Sequence, residues 1–588
     1  MPSRYKGPKG NGYMVIFTYI LLIITVMSVV KDSVGVIYGR TGSFTFEFAV
    51  PDGVVVRRGE YVKVWHEIEG WTLGHVDDVV RTSDDFRLRE AASAADRGRV
   101  GGDIQEKTTA RASVVGFRDG DGLLRTPSTP FSPGDRVFRA DEETIKYTLG
   151  LVGGDIYVGL LEGHGIRVYL ESDDLVQKHV SILARTGSGK SYTAAVILEE
   201  LLENGIPMLI IDPHGEYLTL REANDVDEKV FKRYGITGKG YRKQVTVYTP
   251  ADKHINPAAD RLFRLNEVNL TTSELSQLFA DDRSKSQTAI LHEAISKLRA
   301  DKDRYTVDDI IFEVAQDKSK ARWNVIHALE RLKETGLLSE DPTSVNDLIR
   351  PGHASIIDMK GVEPDVQSMI VARLCSQLFE MRKLGKVPPC MLVIEEAHNF
   401  CPERGFDKTI STDILRTIAS EGRKFGLGLL VISQRPARVD KNVISQCNTQ
   451  IIMRITNAND LKALSKGIEG MTSGLEEEIK RLPAGVAMIV SNRIERPILV
   501  DVRVRRSKHG GTSPTIERGF PHHEEEPPEE IKEETQREEY SKTPEAKIDK
   551  EDSSEIAPQK RAPLRRRHRE EKPEEEKSLF KKIFGTSR

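Results

Sequence analysis

The sequence predicts an α/β protein in four parts: a small N-terminal β-barrel, a larger domain on a mainly parallel sheet, an all-helical insertion within that domain, and a charged, disordered C-terminal tail. Three observations carry this reading. Up to about Phe138, apolar residues recur at period two between Gly-containing turns. From about Gly150, near-continuous apolar runs alternate with helical patterns. After about Lys508 the composition shifts to Glu, Lys, Pro and Ser, which cannot bury enough apolar surface to fold. At 588 residues, two or three folded units plus tails are expected.

The barrel, placed at 27–140, rests on short strands. Phe44, Phe46, Phe48 and Val50 alternate with Thr45, Glu47 and Ala49, and the turn Pro51-Asp52-Gly53 follows. Nothing catalytic stands out there. The α/β domain, placed at 150–511, has buried-strand runs at His179 to Leu183, Pro207 to Ile211, Ser355 to Ile357, Met391 to Ile394, Leu427 to Ile432 and Gln450 to Ile455. Parallel strands of this kind put ligands at their carboxyl ends. Between about 255 and 350 helical spacing takes over, as in Ile290, Ala294, Ile295 and Leu298, then Val325, Leu329 and Leu332. The tail, 512–588, ends with Leu579, Phe580, Ile583 and Phe584 on one face of a short helix, either a peptide for docking a partner or a membrane surface or the solvated end of the tail.

Charge selects no partner: 87 basic residues stand against 90 acidic ones, a net charge of −3, so any nucleic-acid surface has to be local. Cys375, Cys390, Cys401 and Cys447 lack CxxC spacing and paired histidines. They read as reduced intracellular thiols, not as a disulfide framework or zinc site.

The chemistry concentrates in five segments. In Ala184-Arg185-Thr186-Gly187-Ser188-Gly189-Lys190-Ser191, Gly187 and Gly189 let backbone N–H groups, with those of Thr186 and Ser188, turn inward around phosphates. Lys190 reaches the β- and γ-phosphates, Ser191 ligates magnesium, and Tyr192 opens the amphipathic helix that follows. Ala184 stands where the first glycine usually does. Leu392 to Glu396 is an apolar strand ending in two carboxylates. It suits Glu395 for the magnesium shell and Glu396 for polarising the attacking water. His398 reads as structural. Gln434, ending the run Leu430 to Ser433, can contact the γ-phosphate as a sensor, and Arg423 is a candidate finger acting on a neighbouring subunit, with a helix-capping cation as the alternative. Asp212 and Glu216 end another strand, either touching the metal shell and nucleotide network or serving as scaffold. Arg404 and Lys408, after the two glutamates, are candidate contacts to duplex DNA, with a surface role as the alternative.

Together, the barrel, the Thr186-Gly-Ser-Gly-Lys-Ser loop, Asp212-Pro-His-Gly-Glu-Tyr, Glu395-Glu-Ala-His-Asn, Glu421-Gly-Arg-Lys-Phe-Gly and Ser433-Gln-Arg-Pro resemble the HerA family of helicase-translocases, in the HerA–FtsK superfamily. Residues 497–511 resemble that family's C-terminal brace. The resemblance implies a RecA-like ATPase core, a HAS-barrel-like N-terminal domain and ATP with Mg2+ as cofactors. It further implies a homohexamer on double-stranded DNA in end resection and recombinational repair, and a NurA-type nuclease docked on the barrel. Lys178 falls where the family can place a cation acting across subunits.

The hydrophobic N-terminus, residues 1–26, departs from the family. Arg4, Lys6 and Lys9 precede an uncharged run from Tyr13 to Val30, near the minimum for a span. A span there would put everything after Lys31 outside, away from ATP. The expectation is a natural start at Met27 and a cytoplasmic protein. The alternatives are a conjugation- or secretion-type ATPase tethered through residues 13–30, and a DNA clamp that does not hydrolyse ATP.

Overall fold

The computed structural model describes residues 33–83, 106–276, 285–406, 409–465 and 473–510. The apolar run at Tyr13 to Val30 and the charged tail lie outside the described residues. Among those described, no helix is long and apolar enough to cross a membrane.

The period-two segment forms strands β1 (Ser33–Ile37), β2 (Thr45–Val50), β3 (Tyr61–His66), β4 (Gly70–Thr82), β5 (Lys107–Arg118), β6 (Leu124–Arg125) and β7 (Arg136–Arg139). Six of them close into a barrel in the order β2-β1-β7-β3-β4-β5, because β5 pairs back onto β2. Closure removes the free sheet edges that would invite aggregation. Phe46, Phe48, Val62, Val64, Val76, Phe131 and Val137 fill the interior. Phe44, which the alternation groups with them, precedes the first residue of β2 and is 72% exposed. The barrel joins the larger domain through the helix Glu142–Leu149 and the ion pairs Arg118–Glu495 (2.8 Å) and Arg58–Glu478 (3.1 Å). That helix stops at Gly150, at φ 72°, where a Cβ would fall 2.3 Å from the Arg493 carbonyl oxygen. Only glycine fits the turn.

The larger domain carries β8 (Ile156–Leu161), β9 (Arg167–Leu170), β10 (Val180–Leu183), β11 (Met208–Asp212), β12 (Val245–Thr249), β13 (Arg261–Leu262), β14 (Leu265–Asn266), β15 (Leu338–Ser339), β16 (Ala354–Asp358), β17 (Cys390–Ile394), β18 (Leu427–Ser433), β19 (Thr449–Ile452), β20 (Val486–Val490) and β21 (Ile498–Val502). Twelve of these form one sheet, ordered β13-β12-β16-β11-β17-β18-β10-β19-β20-β21-β8-β9. Every pairing from β13 to β19 is parallel, and every pairing from β19 to β9 is antiparallel. Alternate residues of one strand serve two cores. Leu209, Ile211, Leu392 and Ile394 face the helices of the insertion and Pro364–Lys383. Ile210, Met391 and Val393 face the helix Lys190–Glu203. Burial on both faces is why these strands read as unbroken apolar runs.

The insertion packs Ile290, Ala294, Ile295 and Leu298 of the helix Lys285–Asp301 with Val325, Leu329 and Leu332 of the helix Arg322–Glu334. Among its described residues, the only strands are the two-residue β13, β14 and β15 near its ends. They are too short for a periodicity to register in sequence. The helix Lys190–Glu203 corrects a second expectation. It is not amphipathic in place: Lys190 and every residue from Thr193 to Leu202 are buried, Glu199 and Glu200 included.

Candidate active site

The carboxyl ends of the parallel strands gather the chemistry at one edge of the sheet. The loop after β10 leads into the helix Lys190–Glu203. Gly187 at φ 77° and Gly189 at φ 105° take conformations that L side chains rarely adopt. Nothing lies within 4 Å of a Cβ placed on Gly187, whereas one on Gly189 would approach Met453 Cε to 3.0 Å. Ser188 closes the loop on itself, its hydroxyl donating to the Arg185 carbonyl at 2.6 Å. Ala184 is wholly buried and its N–H donates to the Ser433 carbonyl at 3.2 Å, so its methyl group packs in the core instead of straining the turn.

β17 delivers Glu395 and Glu396 opposite this loop, with β18 between β17 and β10. The Lys190 ammonium donates to Glu395 Oε1 and, at 3.0 Å, to Glu396 Oε1. All three side chains are nearly excluded from water. Burial works against the Lys190 charge, but the two carboxylates more than offset it and hold its pKa above the ordinary lysine value. Burial pushes the Glu395 carboxyl up to about 7, which Lys190 and the Tyr217 hydroxyl only partly oppose. That hydroxyl donates to Glu395 Oε2. Glu396 Oε2 is buried without an aligned hydrogen bond, 3.2 Å from His398 Nδ1. At the end of β18, Gln434 Oε1 accepts a hydrogen bond from the Thr186 hydroxyl, tying the sensor position to the phosphate loop.

Asp212 is spent on its own turn. Its Oδ1 accepts from the N–H groups of His214 (3.2 Å) and Gly215 (2.9 Å), and its Oδ2 from Tyr217 N–H at 3.0 Å. Burial lifts its pKa to about 6 against those bonds. The turn aims Tyr217 at Glu395 and leaves Glu216 half-buried, close enough to act electrostatically on Lys190 and Glu395.

The arrangement is a phosphate cradle with a lysine, a hydroxyl and two carboxylates beside it. Two family descriptions match the chain, one over the part of the larger domain that carries the phosphate loop and one over the barrel. "Helicase HerA, central domain" covers residues 156–378, and "HAS barrel domain" covers residues 34–118. The chain resembles the HerA helicase family in both regions. The DNA double-strand break repair helicase HerA of Pyrococcus furiosus is 26% identical over 530 residues, 80% of this chain and 92% of that protein. A probable helicase of Methanocaldococcus jannaschii is 28% identical over 419 residues, 66% of this chain and 75% of its own length. Among solved structures, VirB4 of Thermoanaerobacter pseudethanolicus shares 17% identity at a TM-score of 0.43, covering 60% of this chain and 96% of that one. With a lysine and two carboxylates beside its phosphate loop, the chain is an ATP hydrolase.

Arg423 and Lys178 stand apart from the cluster. Arg423 lies in the turn Gly422–Phe425 before β18, and Lys178 ends the helix Ser172–Lys178 before β10. Both therefore sit at the amino ends of strands whose carboxyl ends carry Lys190 and Gln434. The seven residues of β18 put the two edges roughly 20 Å apart. Arg423 is exposed, and Lys178 pairs with Asp174 at 2.8 Å. Arg404 is exposed on the loop after β17, and Lys408 lies outside the described residues. Tyr192 is half-buried, its hydroxyl accepting from Arg505 N–H at 2.9 Å and its ring edge-on to His509, 5.5 Å between centroids. Sequence reasoning gave Tyr217 no role in the cluster and read His398 as structural. Tyr217 closes the Asp212-Pro-His-Gly-Glu-Tyr turn, and its role shows only once that turn faces β17. His398 is spaced two residues from Glu396, but its contact with Ser433 crosses between strands.

Proposed function

We propose that this chain is an ATP-driven translocase that moves along double-stranded DNA in DNA-end resection and recombinational repair. It works as a cytoplasmic homohexamer beside a NurA-type nuclease docked on the barrel. One observation carries the assembly: the nucleotide cradle and the cations Arg423 and Lys178 occupy opposite edges of one sheet. A site that uses both takes its second half from a neighbouring subunit, and a ring supplies that neighbour to every copy. The similarity to HerA repair helicases supports DNA as the track.

The roles follow the geometry. The N–H groups of Thr186 to Ser191 hold the ATP phosphates at a helix N-terminus, with Tyr192 behind them. Lys190 exchanges its two carboxylates for the β- and γ-phosphates, which frees Glu395 and Glu396. The donor set fits magnesium: the Ser191 hydroxyl, the Glu395 carboxylate through water, and phosphate oxygens. When bound, the ion neutralises charge developing on those oxygens. Glu396, whose Oε2 is buried without an aligned partner, takes the proton of the water that attacks the γ-phosphorus as the β–γ bridging bond breaks. Gln434 follows the γ-phosphate, Arg423 and Lys178 of the next subunit stabilise the leaving charge, Asp212 positions Tyr217, and Glu216 tunes the network. Arg404 and Lys408 face the DNA phosphates.

ATP hydrolysis by the full chain, with and without blunt linear duplex, beside Lys190→Ala, tests the reading. Turnover should rise with duplex and fall about 100-fold or more in the variant. Turnover that needs Lys190 but ignores duplex would refute the DNA track while leaving the nucleotide chemistry in place.

A further inference from the structure

Glu396 has a backbone that L residues rarely adopt, φ 48° and ψ 48°. Such a conformation persists only where the surroundings over-determine it, and it collects at switching sites. Here the Glu396 carbonyl accepts from Asn399 N–H at 2.8 Å and its Oε1 is held by Lys190. The other oxygen, Oε2, meets His398 Nδ1 at 3.2 Å without an aligned hydrogen bond. The same ring nitrogen lies 3.1 Å from Ser433 Oγ. Ser433 ends β18, also accepts Arg435 N–H at 3.0 Å, and precedes Gln434, which is bonded to Thr186 of the phosphate loop. One imidazole nitrogen therefore stands between two claimants: the carboxylate that handles the water and the strand that reads the γ-phosphate.

We propose that His398 is a positioning residue that couples Glu396 to the sensor strand, its Nδ1 exchanging between Ser433 Oγ and Glu396 Oε2. The inference deepens the ATPase reading above and rests on it. A neutral imidazole offers one hydrogen at Nδ1 and cannot donate it fully to both oxygens. With the hydrogen on Glu396, the carboxylate is steadied and less basic. With the ring engaged by Ser433, Oε2 is released towards the water. A shift of Gln434 on meeting the nucleotide moves Ser433 with it, so occupancy at the sensor reaches the base through one side chain. The ring is mostly buried, which keeps water from replacing either partner.

The test uses the full chain with His398→Ala, His398→Asn, Ser433→Ala and the double variant His398→Ala/Ser433→Ala. The readouts are kcat and KM for ATP, affinity for a fluorescent ATP analogue, and thermal unfolding. His398→Ala should lower kcat about 30-fold while KM and analogue affinity stay within about twofold. Asparagine places an amide nitrogen where Nδ1 stands, so His398→Asn should recover to within about fivefold of wild type. The double variant should be no slower than His398→Ala alone, since the two residues act in one chain of contacts. Retention of kcat in His398→Ala, losses that multiply in the double variant, or an Asn variant no better than Ala would each overturn the relay. Turnover surviving Lys190→Ala would instead overturn the ATPase assignment beneath it.

Discussion

His179 shows how much one side chain settles at the edge carrying Arg423 and Lys178. Its backbone, φ 56° and ψ 156°, lies where glycine is at home, yet its ring is buried. Nδ1 accepts from Leu429 N–H at 3.0 Å and Nε2 donates to the Ala419 carbonyl at 3.1 Å, which fixes the neutral tautomer and pins β10 to β18 and to the helix Ser411–Glu421. Burial pushes its pKa down to about 4, against the Ala419 bond and with help from the Arg423 charge. A depressed histidine pKa means that the folded state binds fewer protons than the unfolded chain between about 4 and 6.5. Its contribution is thus complete above about 6.5 and declines as pH falls towards 4, by about 3 kcal/mol in all. His179→Ala should cost about 3 kcal/mol in denaturant titration at pH 7.5, because two buried backbone groups lose their partners. The gap between wild type and variant should shrink at pH 4.5. A gap independent of pH would mean that the ring is not buried neutral. Asn269 in the insertion is the other described non-glycine residue at positive φ besides Glu396. Two of the three positions thus border the chemistry proposed here, as strain stored at functional sites would have it.

At the scale of elements, the segment after β21 locks the helix that follows the phosphate loop. Arg503 is wholly buried and donates to Glu199 (2.9 Å), to Glu200 (2.8 Å) and to the Tyr157 carbonyl (3.0 Å). Glu199 also accepts the Ser507 N–H and hydroxyl at 2.8 and 2.6 Å and the Arg506 N–H at 3.0 Å. With every charge partnered, the network orders the segment. Removing one member leaves the others buried and uncompensated. Glu199→Ala should therefore destabilise the chain by about 3–5 kcal/mol and weaken nucleotide binding, since the helix it anchors begins at Lys190. Wild-type stability in denaturant titration would refute that anchoring role. Sequence could not show this. Nothing local marks Arg503 as buried, because its acidic partners Glu199 and Glu200 lie some 300 residues upstream, on the helix Lys190–Glu203. The parallel strands and the phosphate loop were legible because their signals are local: apolar runs, and glycines where φ must be positive. The antiparallel end of the sheet was not, since β20, β21, β8 and β9 bring both flanks of the domain together and no single stretch encodes that pairing. For the same reason Tyr217 and His398 emerged only when their turns met across strands.

At the scale of the whole molecule, the divided site makes a prediction that no single subunit can satisfy. Arg423 stands roughly 20 Å along β18 from the edge that holds its own Lys190, too far for one side chain to bridge. If Arg423 serves the neighbouring cradle, a subunit lacking it still offers a sound phosphate site, and a subunit carrying Lys190→Ala still offers a sound arginine. Each variant alone should be nearly inactive, with Arg423→Ala down by about 10³-fold or more, the range of a finger acting across subunits. Co-expressed in equal amounts with different tags and purified through both, they should assemble mixed rings. In those rings an interface is competent when its cradle comes from the Arg423→Ala subunit and its arginine from the Lys190→Ala subunit. Random placement meets both conditions at roughly a quarter of interfaces, so turnover should return to about that share of wild type if sites fire independently in a closed ring. A lower recovery, still well above either variant alone, would mean that sites fire in an order that dead neighbours interrupt. Doubly tagged assemblies without any recovery would place Arg423 outside the neighbour's chemistry and remove the reason for reading the two edges as halves of one site.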